Sequence, residues 1–175
     1  MLVVEVGMKI ENDLIKWHDI VTKHGLKLSW SCLTHDIYYT KNNLDGLTEN
    51  EMKRACIRLR FNEGVGATPN EELLNKEQEL IEEGYKKVFD TIKIDMQYRH
   101  DTMKSMVQLQ NIKDIGLLVY YDNPDYYEYP LDEQRKLLLE ELNSYGFDFK
   151  EEDLGLDKLR TLYYGREMYS KNQDG

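Results

Sequence analysis

The chain predicts an α+β fold, an antiparallel sheet covered by α-helices, on three observations. Several segments alternate with a period of two: Val4, Val6, Met8 and Ile10 against Glu5, Gly7, Lys9 and Glu11, and again across 56–61 and 92–99. Other segments carry a helical period bounded by capping residues. The connections between the later strands are short enough for hairpins rather than crossovers.

At 175 residues the chain fits one domain, 1–169, with a polar tail at 170–175. That length buries about 70% of the unfolded surface and needs no staples. Thirty-three acidic against 23 basic residues give a formal charge of −10. This balance opposes nonspecific attachment to duplex DNA or to an anionic membrane, so any bound anion must be drawn by a local cluster. Cys32 and Cys56 have no metal-ligand spacing and read as packed thiols of a reducing compartment, although spacing alone leaves a disulfide open. No apolar run long enough to span a bilayer and no secretory leader is visible, so the expected location is the cytoplasm.

The elements follow in order. A first strand ends at Ile10, after which Asn12 or Asp13 caps a helix with Leu14, Trp17 and Val21 on one side and Gly25 at its end. A strand-rich stretch covers 26–40. Asn42, Asn43, Asp45 and Gly46 then supply turn chemistry before the strand that holds Arg58 and Arg60. Thr68, Pro69 and Glu71 form a capping box for a long helix whose stripe is Leu73, Leu74, Leu80, Ile81, Tyr85, Val88 and Phe89. Strands are expected at 91–100, 104–110 and 116–122, the last two joined as a meander. A tyrosine-rich loop with Tyr126, Tyr127 and Tyr129 leads to a helix opened by Pro130 and closed by Gly146. A short apolar segment, 154–164, comes last.

The polar faces of these strands admit two readings. They are ordinary solvated faces, as in most one-sided antiparallel sheets. Alternatively they converge, so that Glu5, Lys9, Arg58, Arg60, Lys93 and Arg99 surround a space suited to a polyanion. Arg58 and Arg60 are two residues apart and share a face, and each planar guanidinium can donate two hydrogen bonds to one phosphate. His18, His24, His35 and His100 show no metal spacing and read as surface or capping residues.

Laid in order, Glu5-Val6-Gly7-Met8-Lys9, Asp36-Ile37-Tyr38-Tyr39, Ile57-Arg58-Leu59-Arg60, Val107-Gln108-Leu109-Gln110 and the run from Ile115 to Asp122 resemble the CYTH family, also called the triphosphate tunnel metalloenzymes. The resemblance covers nearly the whole chain. It implies a closed or nearly closed antiparallel β-barrel or tunnel with covering helices, whose lumen holds a triphosphate against basic side chains while carboxylates place Mg²⁺ or Mn²⁺. The family includes class IV adenylyl cyclases and several triphosphatases. Carried over residue by residue, it implies catalytic roles for Glu5 and Lys9. Substrate would be held by Lys9, Arg58, Arg60, Lys93, Arg99 and Tyr38, and metal by Glu5, Asp122 and Asp36. The partner would be a nucleoside triphosphate or another triphosphate.

The departures are specific. Gly7 stands at the second acidic position of the opening E-x-E-x-K, Asp95 where the later K-x-R has arginine, and Tyr120 where one of two late carboxylates belongs. The chain also enters a helix after Gly64, where the family has a strand with a further lysine. The basic half survives better than the acidic half. Two functions therefore compete: a metal-dependent triphosphatase or cyclase, and a noncatalytic polyphosphate-binding or protein-interaction module.

Overall fold

The computed structural model describes residues 5–62, 69–101, 105–151 and 158–173, the last of these by backbone alone from residue 166. Six strands, β1 (Val6–Ile10), β2 (Lys27–Thr40), β3 (Cys56–Asn62), β4 (Lys86–Arg99), β5 (Met106–Ile112) and β6 (Gly116–Asp122), form one sheet in the order β1-β6-β5-β4-β2-β3. The pairs β1–β6, β5–β6 and β2–β3 are antiparallel. The α-helices among the described residues are α1 (Leu14–Lys23), α2 (Glu49–Ala55), α3 (Asn70–Glu82), α4 (Leu131–Ser144) and α5 (Lys158–Gln173). The α+β class and the antiparallel meander are as the sequence predicts. Among the described residues β1 and β3 each have one hydrogen-bonded neighbour, whereas a fully closed barrel requires two for every strand.

The chain groups into two compact units. Unit 1 comprises Met1–Cys32 and Ile94–Leu156, and unit 2 comprises Leu33–Lys93 and Asp157–Gly175.

In unit 1, the side of β1, β5 and β6 that carries Val6, Met8, Val107, Leu109, Leu117, Val119 and Tyr121 is the core, each of these residues being at most 3% exposed. Helices α1 and α4 close it with Val21, Leu138 and Leu142. Asp13 caps α1 as the sequence predicts, its side chain accepting from the Lys16 backbone N–H at 3.1 Å. Trp17, on the same stripe, stacks on Phe147 at 5.0 Å. Each fully buried aliphatic side chain here contributes about 1.5–3 kcal/mol by leaving water.

In unit 2 the smaller core joins Ile37, Tyr39 and Leu59 of the strands to Leu80 of α3. One expectation fails here for a local reason. The predicted helical stripe through Val88 and Phe89 stops early, because Gly84 takes a left-handed φ of +94° and turns the chain into β4. The helix also starts at Asn70 with Pro69 at its N-cap and no side-chain cap, while Thr68 of the expected capping box lies outside the described residues. Helix α2 was missed, although Thr48 and Glu51 form a complete capping box ahead of it.

A third difference bears on function. The apolar side of β4 was expected to face the core and its polar side to face water or a cavity. Instead, between positions 91 and 95, Thr91, Lys93 and Asp95 are 4%, 2% and 2% exposed while Ile92 and Ile94 are 40% and 44% exposed; further along the strand the apolar Met96 and Tyr98 are the buried ones.

Candidate functional site

Strand register builds the first cluster, all of it in unit 2. Asp36 lies opposite Arg60 and Tyr38 opposite Arg58 in the β2–β3 ladder, so the four side chains share one face of the pair. Arg60 grips the Asp36 carboxylate with both arms of its fork, Nε donating to Oδ1 at 2.7 Å and Nη2 to Oδ2 at 2.8 Å. From β4, Lys93 brings its Nζ to 3.6 Å from Asp36 Oδ2. Arg58 is exposed. It donates a hydrogen bond to the phenol of Tyr38 and lies within the Coulomb field of Asp36. Within this unit, therefore, three cations stand around one buried carboxylate.

The electrostatics are mutual. Burial alone would raise the Asp36 carboxyl, but the Arg60 hydrogen bonds and the charges of Lys93, Arg60 and Arg58 outweigh it and hold the group below the usual carboxylate range. The Tyr38 phenol is pushed up to about 12, chiefly by burial and then by the negative charge of Asp36, against the pull of the two arginines. Its ring stacks on Phe89 with centroids 4.6 Å apart, which fixes the side chain beside Arg58.

The second cluster belongs to unit 1. Glu5 lies one step beyond the Val6–Tyr121 pair of the β1–β6 ladder, which sets it across from Asp122. Glu5 is exposed and Asp122 half-buried. Tyr127, from the loop after β6, donates its phenolic proton to Asp122 Oδ2. That bond, partial burial and the charges of Asp122 and Glu5 push the Tyr127 phenol up to about 12. Lys9 lies on the same side of β1 as Glu5, exposed, with its stem beside Gly116. At Gly7, between them, a Cβ would stand 2.6 Å from the Tyr120 ring, so that ring occupies the space a side chain at position 7 would need.

The sequence-predicted residues thus fall into separate sets. Asp36, Tyr38, Arg58, Arg60 and Lys93 are brought together. Glu5 and Asp122 share one neighbour, both charges acting on the Tyr127 phenol. Arg99, in unit 1, is exposed at the end of β4, in the field of Asp101. Asp95, where the family pattern has arginine, is buried in unit 1 and accepts from Gln108 Nε2 at 3.3 Å.

As a metal ligand Asp36 fits poorly, because the Arg60 fork engages both of its oxygens. Glu5 and Asp122 offer oxygens of the right hardness for Mg²⁺ or Mn²⁺. Among the described residues no group of three or more His, Cys, Asp or Glu is placed to hold a metal ion. The histidines serve locally: His18 pairs with the Tyr98 hydroxyl at 2.8 Å, His24 with the Ile20 carbonyl at 2.8 Å and His35 with Asp90 at 2.7 Å. Cys32 and Cys56 are not joined in a disulfide. Sequence reasoning missed Tyr127 as the partner of Asp122, and a loop tyrosine carries no periodic signal that would have marked it. No helix among the described residues is long and apolar enough to cross a membrane.

No protein-family model matches the chain. No curated protein matches it either. Solved structures do. The PH1012 protein of Pyrococcus horikoshii OT3 superposes with a TM-score of 0.59 at 15% identity, over 88% of this chain and 94% of that one. A conserved hypothetical protein from Pyrococcus furiosus gives 0.58 at 14% identity, over 88% and 95%. A candidate adenylate cyclase from Vibrio parahaemolyticus gives 0.61 at 14% identity, over 87% and 92%. At these identities the likeness establishes a shared fold that extends over most of each chain.

Proposed function

We propose that the chain is a divergent CYTH-like protein that binds a nucleoside triphosphate or another triphosphate and cleaves or cyclises it with a divalent metal. The observation that carries this reading is the face of unit 2 on which Arg58, Arg60 and Lys93 surround Asp36. Two arginines and a lysine are the side chains suited to polyphosphate, the arginines for their bidentate forks. The fold shared with a candidate adenylate cyclase supports the same reading.

In this proposal Arg58, Arg60 and Lys93 neutralise phosphate charge, and Asp36 holds Arg60 and Lys93 in place. Tyr38 orients Arg58. Within unit 1, Glu5 and Asp122 are the carboxylates that would hold Mg²⁺ or Mn²⁺, a metal that supplies charge neutralisation in reactions of polyphosphates. Lys9, on the same strand as Glu5, and Arg99, at the end of β4, are the further phosphate-binding cations of the proposal, both within unit 1. Phosphoryl transfer asks mainly for positioning and charge stabilisation, so no protein nucleophile is required. Neither duplex DNA nor a membrane is an expected partner of so acidic a chain.

Release of phosphate or pyrophosphate from ATP, thiamine triphosphate and tripolyphosphate, each with and without Mn²⁺, tests the enzyme. Turnover on at least one substrate is expected, and none on any would remove the catalytic claim. A second reading, a noncatalytic polyphosphate binder, is favoured by the Tyr120 ring that fills the space over Gly7, since these two residues replace two of the family's carboxylates. Thermal shift separates the two. Tripolyphosphate at about 100 times its Kd should stabilise the protein by about 2.7 kcal/mol. Protection independent of Mn²⁺ would favour the binder, and the double variant Arg58→Ala, Arg60→Ala should lose protection in either case.

A further inference from the structure

The cationic face of unit 2 has two more members, and neither belongs to the arginine and lysine pattern. Thr91 precedes Lys93 by two residues on β4 and so shares its face. It is 4% exposed, and its Oγ1 has no hydrogen-bond partner among the described residues. Asn62 lies opposite Thr34 in the β2–β3 ladder, two residues along from the Arg60–Asp36 pair and on the same face. Its buried Oδ1 is likewise without a partner there. Buried hydroxyls and amides nearly always find a partner, because leaving one unmade costs the full desolvation of the group. Among the described residues, two such atoms lie on the face that already gathers Arg60 and Lys93, where a bound ligand would supply the partner.

We propose that Thr91 is a ligand-contacting residue: its hydroxyl donates to a nonbridging oxygen of the phosphoryl group held by Lys93 and Arg60. The Asn62 amide, whichever way it is turned, supplies a second hydrogen-bonding atom further along that face. The inference rests on the triphosphate reading and adds a neutral contact to it. A hydroxyl suits this position chemically. It donates one directed bond to an anionic oxygen without adding a charge to a buried region, and bonds of that kind are among the stronger ones. Valine has the same shape and no hydroxyl. A residue that merely packs would therefore tolerate the change, whereas a ligand contact would not.

The test sets two quantities against each other in Thr91→Val and Thr91→Ser. Tripolyphosphate is the probe, with its Kd measured by calorimetry and the melting temperature measured without ligand. For Thr91→Val we expect an unchanged or higher melting temperature, because a buried hydroxyl without a partner has been removed, together with binding weakened about tenfold or more. Thr91→Ser should bind like the parent. Asn62→Ala, at the less buried position, should weaken binding by a smaller factor and serves as the second variant should Thr91→Val fold poorly. Equal Kd values for the parent, Thr91→Val and Asn62→Ala would overturn this inference alone, leaving the hydroxyl to an ordered water. Absence of tripolyphosphate binding by the parent protein would overturn the triphosphate reading and this inference with it.

Discussion

The two units handle their polar strand faces in opposite ways. In unit 2, the face carries Arg58, Arg60 and Lys93 around one carboxylate. In unit 1, the corresponding side chains are Glu5, Asp122 and Asp95, with Lys9 the cation among them. Each unit also has its own means of cohesion. Unit 1 rests on a broad apolar core closed by α1 and α4, while unit 2 buries Tyr39, Leu44, Met52 and Phe89 and has Asp36 as its most buried charged group. The difference teaches that the paired arginines with Lys93 and the carboxylates Glu5 and Asp122 are each local to one unit, and that the departures at Gly7, Asp95 and Tyr120 all fall in unit 1.

The comparison breaks most visibly at Asp36. Removing it in Asp36→Ala leaves Lys93, 2% exposed, and the Arg60 guanidinium without their shared anion. Truncating one partner of a buried ion pair costs about 3–5 kcal/mol. Chemical denaturation should show a loss of that order, and a loss below about 1 kcal/mol would mean that solvent screens the cluster. The pH dependence follows with a definite sign. The carboxyl lies lower in the folded chain than in the unfolded one, where it is about 3.9. Its contribution is therefore complete above that unfolded value and disappears as pH falls through the folded one. Acid unfolding of Asp36→Asn should lack the part of the transition below about pH 4 that the parent shows.

The part of this cluster that was legible in the sequence is the part set by strand period. Arg58 and Arg60 two apart, and Asp36 with Tyr38 two apart, put each pair on one face before any pairing is known. Their apposition is a matter of register, which only the β2–β3 ladder supplies. Lys93 was legible as a strand residue but not as a buried one. Alternation reports that two faces differ without saying which is covered, and on β4 it is Ile92 and Ile94 that lie open. The early end of α3 was written in Gly84, yet the apolar spacing of Val88 and Phe89 also suits a helix, and the positive φ outweighs it. For Thr91 nothing in the sequence distinguishes a threonine that packs from one that waits for a ligand. The barrel closure expected from the resemblance required knowing both neighbours of β1 and β3, which is long-range information.

A smaller effect sharpens the acidic side of the comparison. Gly7 faces Tyr120 across the β1–β6 ladder, and a methyl group placed there meets the ring at 2.6 Å. Gly7→Ala should therefore cost about 1–3 kcal/mol through overpacking. Tyr120→Ala in the same chain should return part of that cost, giving a coupling of at least about 0.5 kcal/mol in a double-mutant cycle. Independent, additive effects would show that the ring moves aside freely. In that case the absent second carboxylate of the E-x-E-x-K pattern is not enforced by Tyr120, and Gly7→Glu alone would be a fair test of restored metal dependence.

The smallest effect concerns the two carboxylates that act on Tyr127. The Tyr127 phenol is pushed up to about 12 by its bond to Asp122 first, by partial burial next, and then by the charges of Asp122 and Glu5. Asp122→Asn removes both the bond to a charged acceptor and one of those charges, so it should lower the phenol more than Glu5→Gln, which removes one charge alone. Site-resolved NMR of the tyrosine ring carbons across the alkaline range reads both shifts. The order Asp122→Asn above Glu5→Gln above no change is expected. If Glu5→Gln leaves the phenol unmoved, Glu5 stands too far from Asp122 to share a cation with it, and the metal part of the proposal loses its second ligand. Tyr127→Phe should itself cost only about 0.5–1.5 kcal/mol, because water can replace the phenol at the half-exposed Asp122. It also releases a carboxylate oxygen for other use. Stronger Mn²⁺ dependence of tripolyphosphate protection in Tyr127→Phe would then identify Asp122 as a ligand that the native tyrosine restrains.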